Sequence, residues 1–274
     1  MGFAKEFAVA AEEAGFDRLY FPEHVVFFPE YESKYPYTPD GAPNWGPDTG
    51  IYDLLFTAAV CAQVTTRLGF ASSVIILPER PALLCAKEVM TLDHATGGRF
   101  DLGVGIGWSH EEYAALGMAW DHRGKRCDEW IEAMRVAWTQ DRATYKGEYV
   151  SFENVVLQPR PLNGTVPIIV GGDSPAAMRR AARLGDGWYG WWASGELEPH
   201  LDAFHAIMAE HGRVNDDSFS LRIGRPISES PDDAAAKVQR ARVAGVDEFV
   251  IGPHIPGTDF AGHLRRWAEA VGVE

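Results

Sequence analysis

Apolar residues recur along the chain with spacings that alternate between helical and extended patterns. A helix is predicted over Phe3–Ala14, where apolar side chains three and four residues apart share one face and Gly15 follows. The apolar segment RLYF comes next and is predicted to form a strand. The same order of helix, glycine, aspartate and strand returns in AARLGDGWYGW and in RARVAGVDEFVIGP. The chain therefore repeats one helix–strand unit.

Other short apolar segments bounded by glycine are also predicted strands, and they are RLGFASSVII, RFDLGVGIG, VPIIVGG and the more polar FSLRIGRP. Helical patterns follow most strands, over residues 53–65, 82–95, 175–184, 196–211, 232–244 and 259–271. Strands that alternate with helices and are apolar on both faces are typical of a covered parallel sheet. No glycine-rich phosphate motif follows the first strand, which favours a closed barrel of the (β/α)8 TIM-barrel type over an open doubly wound sheet.

The predicted barrel lacks its first strand. Seven strands are counted, and the helix that begins at Phe3 has no strand before it. A missing strand leaves two unpaired edges, which natural sheets avoid. We therefore expect upstream residues, a neighbouring chain or a tighter seven-stranded closure to fill the gap. An unpaired edge also favours a homo-oligomer such as a dimer.

One domain spanning residues 1–274 is expected at this length, with insertions at about 25–50 and 108–165. The second insertion contains two predicted helices and a hairpin, ATYKGEYVSF, that turns at Lys146-Gly147. In a barrel the carboxyl ends of the strands carry the active site, so residues just beyond those ends, His254 among them, are the candidates.

Composition narrows the possible partners. Acidic residues outnumber basic ones by 39 to 25, giving a net charge of −14, which argues against nucleic acid and anionic membrane surfaces. The three cysteines, Cys61, Cys85 and Cys127, lie far apart and are expected to be buried in a reducing compartment. No signal peptide or membrane span is recognised, so a cytoplasmic protein is expected. Neither a metal-binding spacing nor a GxSxG elbow occurs, so we predict no metal and no serine nucleophile.

The segment VPIIVGGDSPAAM carries the clearest binding signal. A strand ends in two glycines, and a helix follows with Ser174 as its predicted N-cap. Free N–H groups at such a helix start attract anions. A well-capped turn without a ligand explains the same residues, and the Asp173 carboxylate could occupy the N–H groups itself.

Glycines and aromatic residues give a second signal with two interpretations. The alternating glycines of DLGVGIGW, followed by Trp108, permit close approach either of a flat ligand or of a neighbouring backbone. Aromatic side chains in the first insertion and in WYGWW could line a pocket for a planar ligand or belong to the core. Glu23 and His24 follow a predicted strand. They could act in a site at the end of that strand, or they could only form hydrogen bonds with neighbouring loops.

Nearly the whole chain resembles the bacterial luciferase-like family of flavin and deazaflavin oxidoreductases. The motifs that carry the resemblance are AEEAGFDRLYFPEHV, PEYESKYPYTPDG, LGFASSVIILPERPALLCAKEVMTLDHATGGRFDLGVGIGWSHEEYAALG, RGKRCDEWIEAMRVAW and VPIIVGGDSPAAMRRAARLGDGW. Their serial order most resembles the branch that uses the deazaflavin coenzyme F-420.

The resemblance implies a (β/α)8 barrel with the cofactor ring at its mouth. The residues that it implies for cofactor binding are Gly171, Gly172 and Ser174 at the phosphate, Ser72, Ser73 and Val74 behind one ring face through a non-prolyl cis peptide, and Gly107 and Trp108 beside the ring or substrate. Glu23 and His24 are implied to be catalytic, with His24 as the acid or base. The second insertion is implied to help cover the pocket.

The implied function is hydride transfer between coenzyme F-420 and a small organic substrate. Two alternatives stay open, namely an FMN-dependent monooxygenase that uses reduced flavin and oxygen, and a barrel that binds cofactor without catalysis because its first strand is missing. A phosphosugar lyase or isomerase rests on the GGDSP turn alone and lacks a catalytic lysine or metal cluster.

Overall fold

The computed structural model describes residues 1–192, 195–214, 216–224, 230–252 and 259–273, so His254 lies outside the described residues. The helices are α1 (Gly2–Glu13), α2 (Leu54–Ala62), α3 (Ala82–Thr96), α4 (His110–Ala115), α5 (Arg123–Thr139), α6 (Pro175–Leu184), α7 (Leu197–Glu210), α8 (Pro231–Val243) and α9 (Phe260–Val271). The strands are β1 (Arg18–Phe21), β2 (Gly69–Ser72), β3 (Ile75–Ile76), β4 (Phe100–Gly105), β5 (Ala143–Lys146), β6 (Ser151–Val155), β7 (Ile168–Gly171), β8 (Gly187–Trp191), β9 (Ser220–Gly224) and β10 (Glu248–Val250). A 3₁₀ turn at Leu77–Glu79 follows β3.

The main sheet is parallel and runs in the order β1, β2, β4, β7, β8, β9, β10. Strands β2 and β3 both pair with β4 and are two parts of one interrupted strand, so the described sheet has seven positions. Helices lie between successive strands of this sheet, as expected of right-handed crossovers. The predicted barrel that lacks its first strand is therefore confirmed.

The two ends of the sheet are bridged by side chains. Strands β1 and β10 are only half-buried, whereas β2 and β4 are buried throughout. Nε of Arg18 on β1 lies 3.1 Å from Oε1 of Glu248 on β10. Asp101 on β4 forms ion pairs with both Arg18, at 3.1 Å, and Arg222, at 2.6 Å. Ion pairs therefore connect the ends where backbone hydrogen bonds would close a complete barrel.

Helix α1 packs across this gap onto the last helix. The Phe3 and Phe7 rings lie 5.5 and 6.2 Å from the ring of Phe260 on α9, measured between centroids. On its other side, the Glu12 carboxylate accepts the backbone N–H groups of Arg67 and Leu68, which precede β2. Helix α1 is therefore held on one side by α9 and on the other by the segment that precedes β2.

The segment between β4 and β7 contributes a buried helix, α5, to the layer around the barrel as well as a surface hairpin. Helix α5 buries one face, with Trp130 and Trp138 donating their indole N–H groups to carbonyls of Arg80 and Ala86. The predicted hairpin forms as β5 and β6, but its turn covers residues 147–150, beyond the expected position. It packs on the outside of α5, and only Trp108 and Arg123 of residues 108–165 line the cavity described below.

The described part of the chain contains no helix long and apolar enough to span a membrane. All three cysteines are buried and free, as the sequence predicts.

Candidate active site

A cavity of about 1840 Å³ begins at the carboxyl ends of the strands and extends into the gap between β1 and β10. Its wall at this end comes from the ends of β1, β4, β7 and β8 and from the loop after β1. The cavity continues between β1 and β10 as far as Phe16 and Asp247, which precede those strands. In (β/α) barrels the carboxyl end is the one that carries the active site.

His24 lies just beyond β1 and is held by Glu112 of α4. Its Nδ1 atom is 2.7 Å from Oε2 of Glu112, while Oε1 of the same carboxylate accepts the N–H of Val25 at 2.6 Å. The side chains of His24 and Glu112 are 12% and 1% exposed. Because a carboxylate accepts hydrogen bonds, this contact places a proton on Nδ1 and leaves Nε2 as the atom available to a ligand.

Helix α4 also holds the loop that follows β1. The Glu111 carboxylate accepts the N–H groups of Glu32 and Ser33 at 2.6 and 2.9 Å, and the N–H of His110 donates to Oγ of Ser33. Burial alone would raise the pKa of Glu111, but hydrogen bonds from Ser33 and Ser109 lower it to about 2. An ionised carboxylate therefore fixes the start of this loop at neutral pH.

Replacing Glu112, the α4 carboxylate that holds His24 and Val25, should loosen the loop after β1. In Glu112→Ala the Nδ1–H of His24 and the N–H of Val25 lose a charged acceptor, and each such bond contributes about 1.5–3 kcal/mol. We expect limited proteolysis within residues 25–50 to become at least tenfold faster. Glu129→Ala is the matched control, because Glu129 accepts backbone N–H groups of the β5–β6 hairpin instead. Equal cleavage of both variants within residues 25–50 would contradict the tether.

Glu23 lies in the wall of the site, where its carboxylate binds Arg80 and the backbone of Ile76. Its Oε1 atom is 2.7 Å from Nη1 of Arg80, and its Oε2 atom accepts the N–H of Ile76 at 2.6 Å. The Glu23 side chain is 5% exposed. The pair joins the end of β1 to β3 and leaves His24 as the group that can meet a ligand.

The alternating glycines of β4 and the residues after it make room for the neighbouring strand. A Cβ atom on Gly103, Gly105 or Gly107 would lie 1.9 Å from the Ser72 carbonyl oxygen, 2.4 Å from Val74 Cγ2 and 2.8 Å from Ile76 Cγ2, respectively. Close approach of this strand, one of the two interpretations of the glycine pattern, therefore explains Gly103 and Gly105. Gly107 and Trp108 line the cavity itself.

The interrupted strand contains the cis peptide that the family resemblance implies. The bond between Ser73 and Val74 is cis, and both residues line the cavity. The Ser72 hydroxyl donates to the carbonyl of Gly103 at 2.7 Å and is buried. Ser72 therefore supports the wall from behind, whereas Ser73 and Val74 form its surface.

The turn from β7 to α6 offers free donors to the cavity. Oγ of Ser174 accepts the N–H of Ala177 at 3.2 Å and so caps α6, as predicted. Gly172 has a φ angle of +113°, which favours glycine. No described group accepts from the N–H groups of Asp173, Ser174 or Ala176. The start of α6 is therefore open to an anion.

The alternative in which Asp173 occupies these donors is not the arrangement found. Its Oδ1 atom accepts the N–H of Trp191 at 2.8 Å and lies 3.2 Å from Nε2 of His200. The carboxylate therefore turns toward β8 and α7, away from the start of α6. Gly171 packs against Val74, since an added Cβ atom would lie 2.6 Å from Val74 Cγ1.

Arg123, the first residue of α5, supplies a cation to the same cavity. Its guanidinium carbon lies 3.6 Å from the ring centroid of Trp120, and its buried Nε has no hydrogen-bond partner. Within the described ranges no carboxylate pairs with it. Arg180 of α6 donates to the carbonyl of Gly124 at 2.9 Å, which brings Arg123 close to α6, but Arg180 is itself paired with Asp128. Arg123 is thus a cation without a carboxylate partner on the wall of the same cavity.

Aromatic rings cover the end of the cavity at His24. The centroid of the Tyr35 ring lies 4.9 Å from that of Trp45 and 5.3 Å from that of Trp108, with interplanar angles of 76° and 72°. The imidazole of His24 lies 5.4 Å from Trp45 and 6.0 Å from Trp108. These tilted and edge-to-face contacts form a packed apolar cover over the imidazole.

Glu79 is a buried carboxyl group behind this end of the site. It is 8% exposed, and neither of its oxygens has a hydrogen-bond partner among the described residues. Burial raises the pKa of Glu79 to about 9, and the nearby carboxylates of Glu112 and Glu23 add to the rise. Glu79 is therefore a neutral carboxylic acid at pH 7.

The structure adds four residues that sequence reasoning missed, namely Glu79, Arg80, Glu112 and Arg123. Glu112 had a signal, because Ser109 lies three residues before it in the spacing of an N-cap, and Oγ of Ser109 accepts its N–H. Arg123 had none, since nothing in the sequence shows which arginine lacks a partner. The described residues hold no cluster of three or more metal-ligating side chains.

The chain is similar to known proteins over most of its length. An uncharacterized protein of Mycobacterium tuberculosis is 34% identical over 252 residues, which is 92% of this chain and 85% of that protein. An FMNH2-dependent dimethylsulfone monooxygenase of Pseudomonas fluorescens is 38% identical over 137 residues, 49% of this chain and 36% of that protein.

A solved structure and a family model extend the comparison. The F-420-dependent secondary alcohol dehydrogenase, determined with an F-420–acetone adduct, superimposes with a TM-score of 0.79 at 18% identity, over 100% of this chain and 95% of that one. This likeness concerns the fold. The model of the luciferase-like monooxygenase family matches residues 2–270. The chain therefore belongs to the luciferase-like monooxygenase family.

Proposed function

We propose that the protein binds coenzyme F-420 in the cavity and uses it to oxidise or reduce a small organic substrate held at His24. The observation that carries the proposal is that one cavity joins an open anion site, made by the start of α6 and Arg123, to a histidine oriented by Glu112. The fold shared with the F-420-dependent secondary alcohol dehydrogenase supports this choice of cofactor.

The residues present fit such a cofactor at two points. The free N–H groups of Ser174 and Ala176, with Arg123, match a phosphate. Ser73, Val74 and Gly107 offer a wall for a flat ring. When bound, the deazaflavin would supply the hydride acceptor or donor.

Side chains of the protein would then transfer the proton that accompanies the hydride. Nε2 of His24 gives a proton to the substrate oxygen or takes one from it, while Glu112 holds Nδ1–H and keeps the imidazole in orientation. Glu23 positions the wall through Arg80 and Ile76. The cover of Tyr35, Trp45 and Trp108 excludes water from this step.

An FMN-dependent monooxygenase is the second candidate. The dimethylsulfone monooxygenase of Pseudomonas fluorescens, which is FMNH2-dependent by name, matches about half of the chain at 38% identity. The same anion site would suit the FMN phosphate, so the cofactor must be distinguished by binding. A barrel that binds cofactor without turnover is the third outcome.

The test is a fluorescence titration of the protein with oxidised and reduced F-420 and FMN. We expect F-420 to bind more tightly than FMN, and Arg123→Gln to weaken binding by about ten- to hundredfold, because it removes a charged donor to phosphate. Lys125→Gln is the matched control, since Lys125 is exposed on α5 and does not line the cavity. If neither cofactor binds, or Arg123→Gln binds as the wild type does, the proposal fails.

A further inference from the structure

One part of the cavity has no role in the proposed function, namely the groove between β1 and β10. Residues 18–20 of β1 and 248–250 of β10 line this groove, and the two strands do not pair with each other. Its outer wall comes from Phe7 and Ala11 of α1 and from Leu264 of α9. The groove therefore lies between two sheet edges and is covered on its outer side by two helices.

The edge of β1 presents unpaired backbone groups to the groove. The carbonyl oxygen of Asp17 accepts the N–H of Gly69 at 2.8 Å, so the peptide groups of the odd-numbered residues face β2. Successive peptide groups of a strand point to opposite sides. The N–H and C=O groups of Arg18 and Tyr20 therefore face the groove, where no backbone partner is found among the described residues.

The edge of β10 has the same arrangement. The N–H of Asp247 donates to the carbonyl of Leu221 at 2.9 Å, so Asp247 and Phe249 face β9. The N–H and C=O groups of Glu248 and Val250 face the groove instead. Every neighbouring pair from β1 to β10 is parallel, so the two free edges also run in the same direction. A strand placed between them can therefore pair in parallel with both.

Side chains define which segment fits the groove. Arg18, Tyr20 and Glu248 point into the barrel, where their partners are Asp101 on β4 and Arg222 on β9. The opposite wall, made by α1 and α9, is carbon surface. Side chains of a strand alternate between its two faces. A segment in the groove therefore needs apolar residues at every second position, directed at the helices, with small polar residues between them.

Charge at one end of the groove favours one end of such a segment. Parallel pairing places the amino end of the segment beside Asp17 and Asp247, which precede β1 and β10 and line the cavity. Arg242 also lines this end and is exposed. Two carboxylates against one arginine favour a positively charged group, and the free amino terminus of a chain is such a group.

We propose that the groove binds the amino-terminal segment of another protein as an added parallel strand, with its terminal amine beside Asp17. Unpaired edges are templates for strand addition, in which backbone hydrogen bonds supply affinity and alternate side chains supply specificity. A segment of about five residues matches the four residues of β1. The inference is independent of the cofactor, because the phosphate turn and His24 have no part in it.

The test measures hydrogen exchange, residue by residue, by NMR on the purified protein with and without a peptide. The peptide is Ser-Val-Ser-Val-Ser-Val, with a free amino terminus and an amidated carboxyl terminus. We expect the N–H groups that face the groove, those of Arg18, Tyr20, Glu248 and Val250, to exchange at least tenfold more slowly with peptide. The N–H groups of Leu19 and Phe249 should keep their rates, because they face β2 and β9.

A modified peptide and two variants serve as controls. The same peptide methylated on every second backbone nitrogen keeps its side chains but loses half of its donors, and it should not slow exchange. Asp17→Asn should weaken binding of the unmodified peptide by about twofold to fivefold, as expected for a solvent-exposed ion pair. Glu13→Gln changes an exposed carboxylate of α1 that does not line the cavity, so it should bind as the wild type does.

The outcomes distinguish the possible occupants of the groove. No slowing of exchange would overturn the proposal, and so would equal slowing by the methylated peptide or by 1-decanol, because apolar filling would then explain the effect. Slowing at the same positions without peptide as the protein concentration rises, with dimers seen in sedimentation, would make a second copy the occupant and would also overturn it. Alternating slowing by the unmodified peptide alone upholds the proposal, whether or not F-420 or FMN binds.

Discussion

Gly103→Ala should destabilise the fold by at least about 3 kcal/mol and is expected to leave little folded protein. The added Cβ atom would lie 1.9 Å from the Ser72 carbonyl oxygen and 2.9 Å from its carbonyl carbon. These are backbone atoms of the paired strand, so no side-chain rotation can relieve the contact. The substitution can be accommodated only if β2 and β4 move apart at the centre of the sheet.

Thermal and urea denaturation measure this effect, with Gly46→Ala as the control. Nothing lies within 4 Å of the position that a Cβ atom would take at Gly46, and its φ angle is not in the left-handed region. The control should therefore change the free energy of unfolding by less than about 1 kcal/mol. If Gly103→Ala matches the control, the close pairing of β2 with β4 is incorrect.

Glu79→Met should raise the free energy of unfolding by about 3 kcal/mol at pH 8. The carboxyl group of Glu79 has no hydrogen-bond partner among the described residues, and its pKa is about 9 in the fold against an ordinary value of 4.5. Between these values the folded chain keeps a proton that the unfolded chain releases. Stability therefore falls as pH rises through this window, by at most about 1.4 kcal/mol per pH unit.

The methionine removes both the buried polar group and its pH dependence. Below pH 4.5 both states of the wild type are protonated, so the stability difference between wild type and variant should be smallest there and should grow toward pH 9. Urea denaturation from pH 5 to 9 measures this, with Glu153→Met as a control at an exposed site. A variant less stable than the wild type at pH 8 would mean that Glu79 is ionised and paired.

The sequence predicted the order and type of the elements because each has a strong local signal. Helix α6 was predicted at its observed bounds, since Ser174 caps its start and glycine follows Leu184. The missing strand could also be counted, because the helix–strand repeat is regular. These features depend on residues close together in the chain.

The site could be predicted only in part, because its contacts join distant segments. Glu112 meets His24 across 88 positions of sequence, and Arg80 meets Glu23 across 57. The direction of the Asp173 carboxylate depends on where Trp191 and His200 lie, so local reasoning could not identify its partners. Assignment of Gly171, Gly172 and Ser174 to a phosphate stays a prediction until binding is measured.

The ion pair between Arg18 and Glu248 makes the junction between β1 and β10, here called the seam, sensitive to salt concentration. Both side chains are 21% exposed, so dissolved salt screens their attraction in part. The hydrogen-bonded ladders between the other neighbouring strands are far less sensitive to ionic strength. Rising salt concentration should therefore loosen the barrel first along the line between β1 and β10, making this seam the place where it opens most easily.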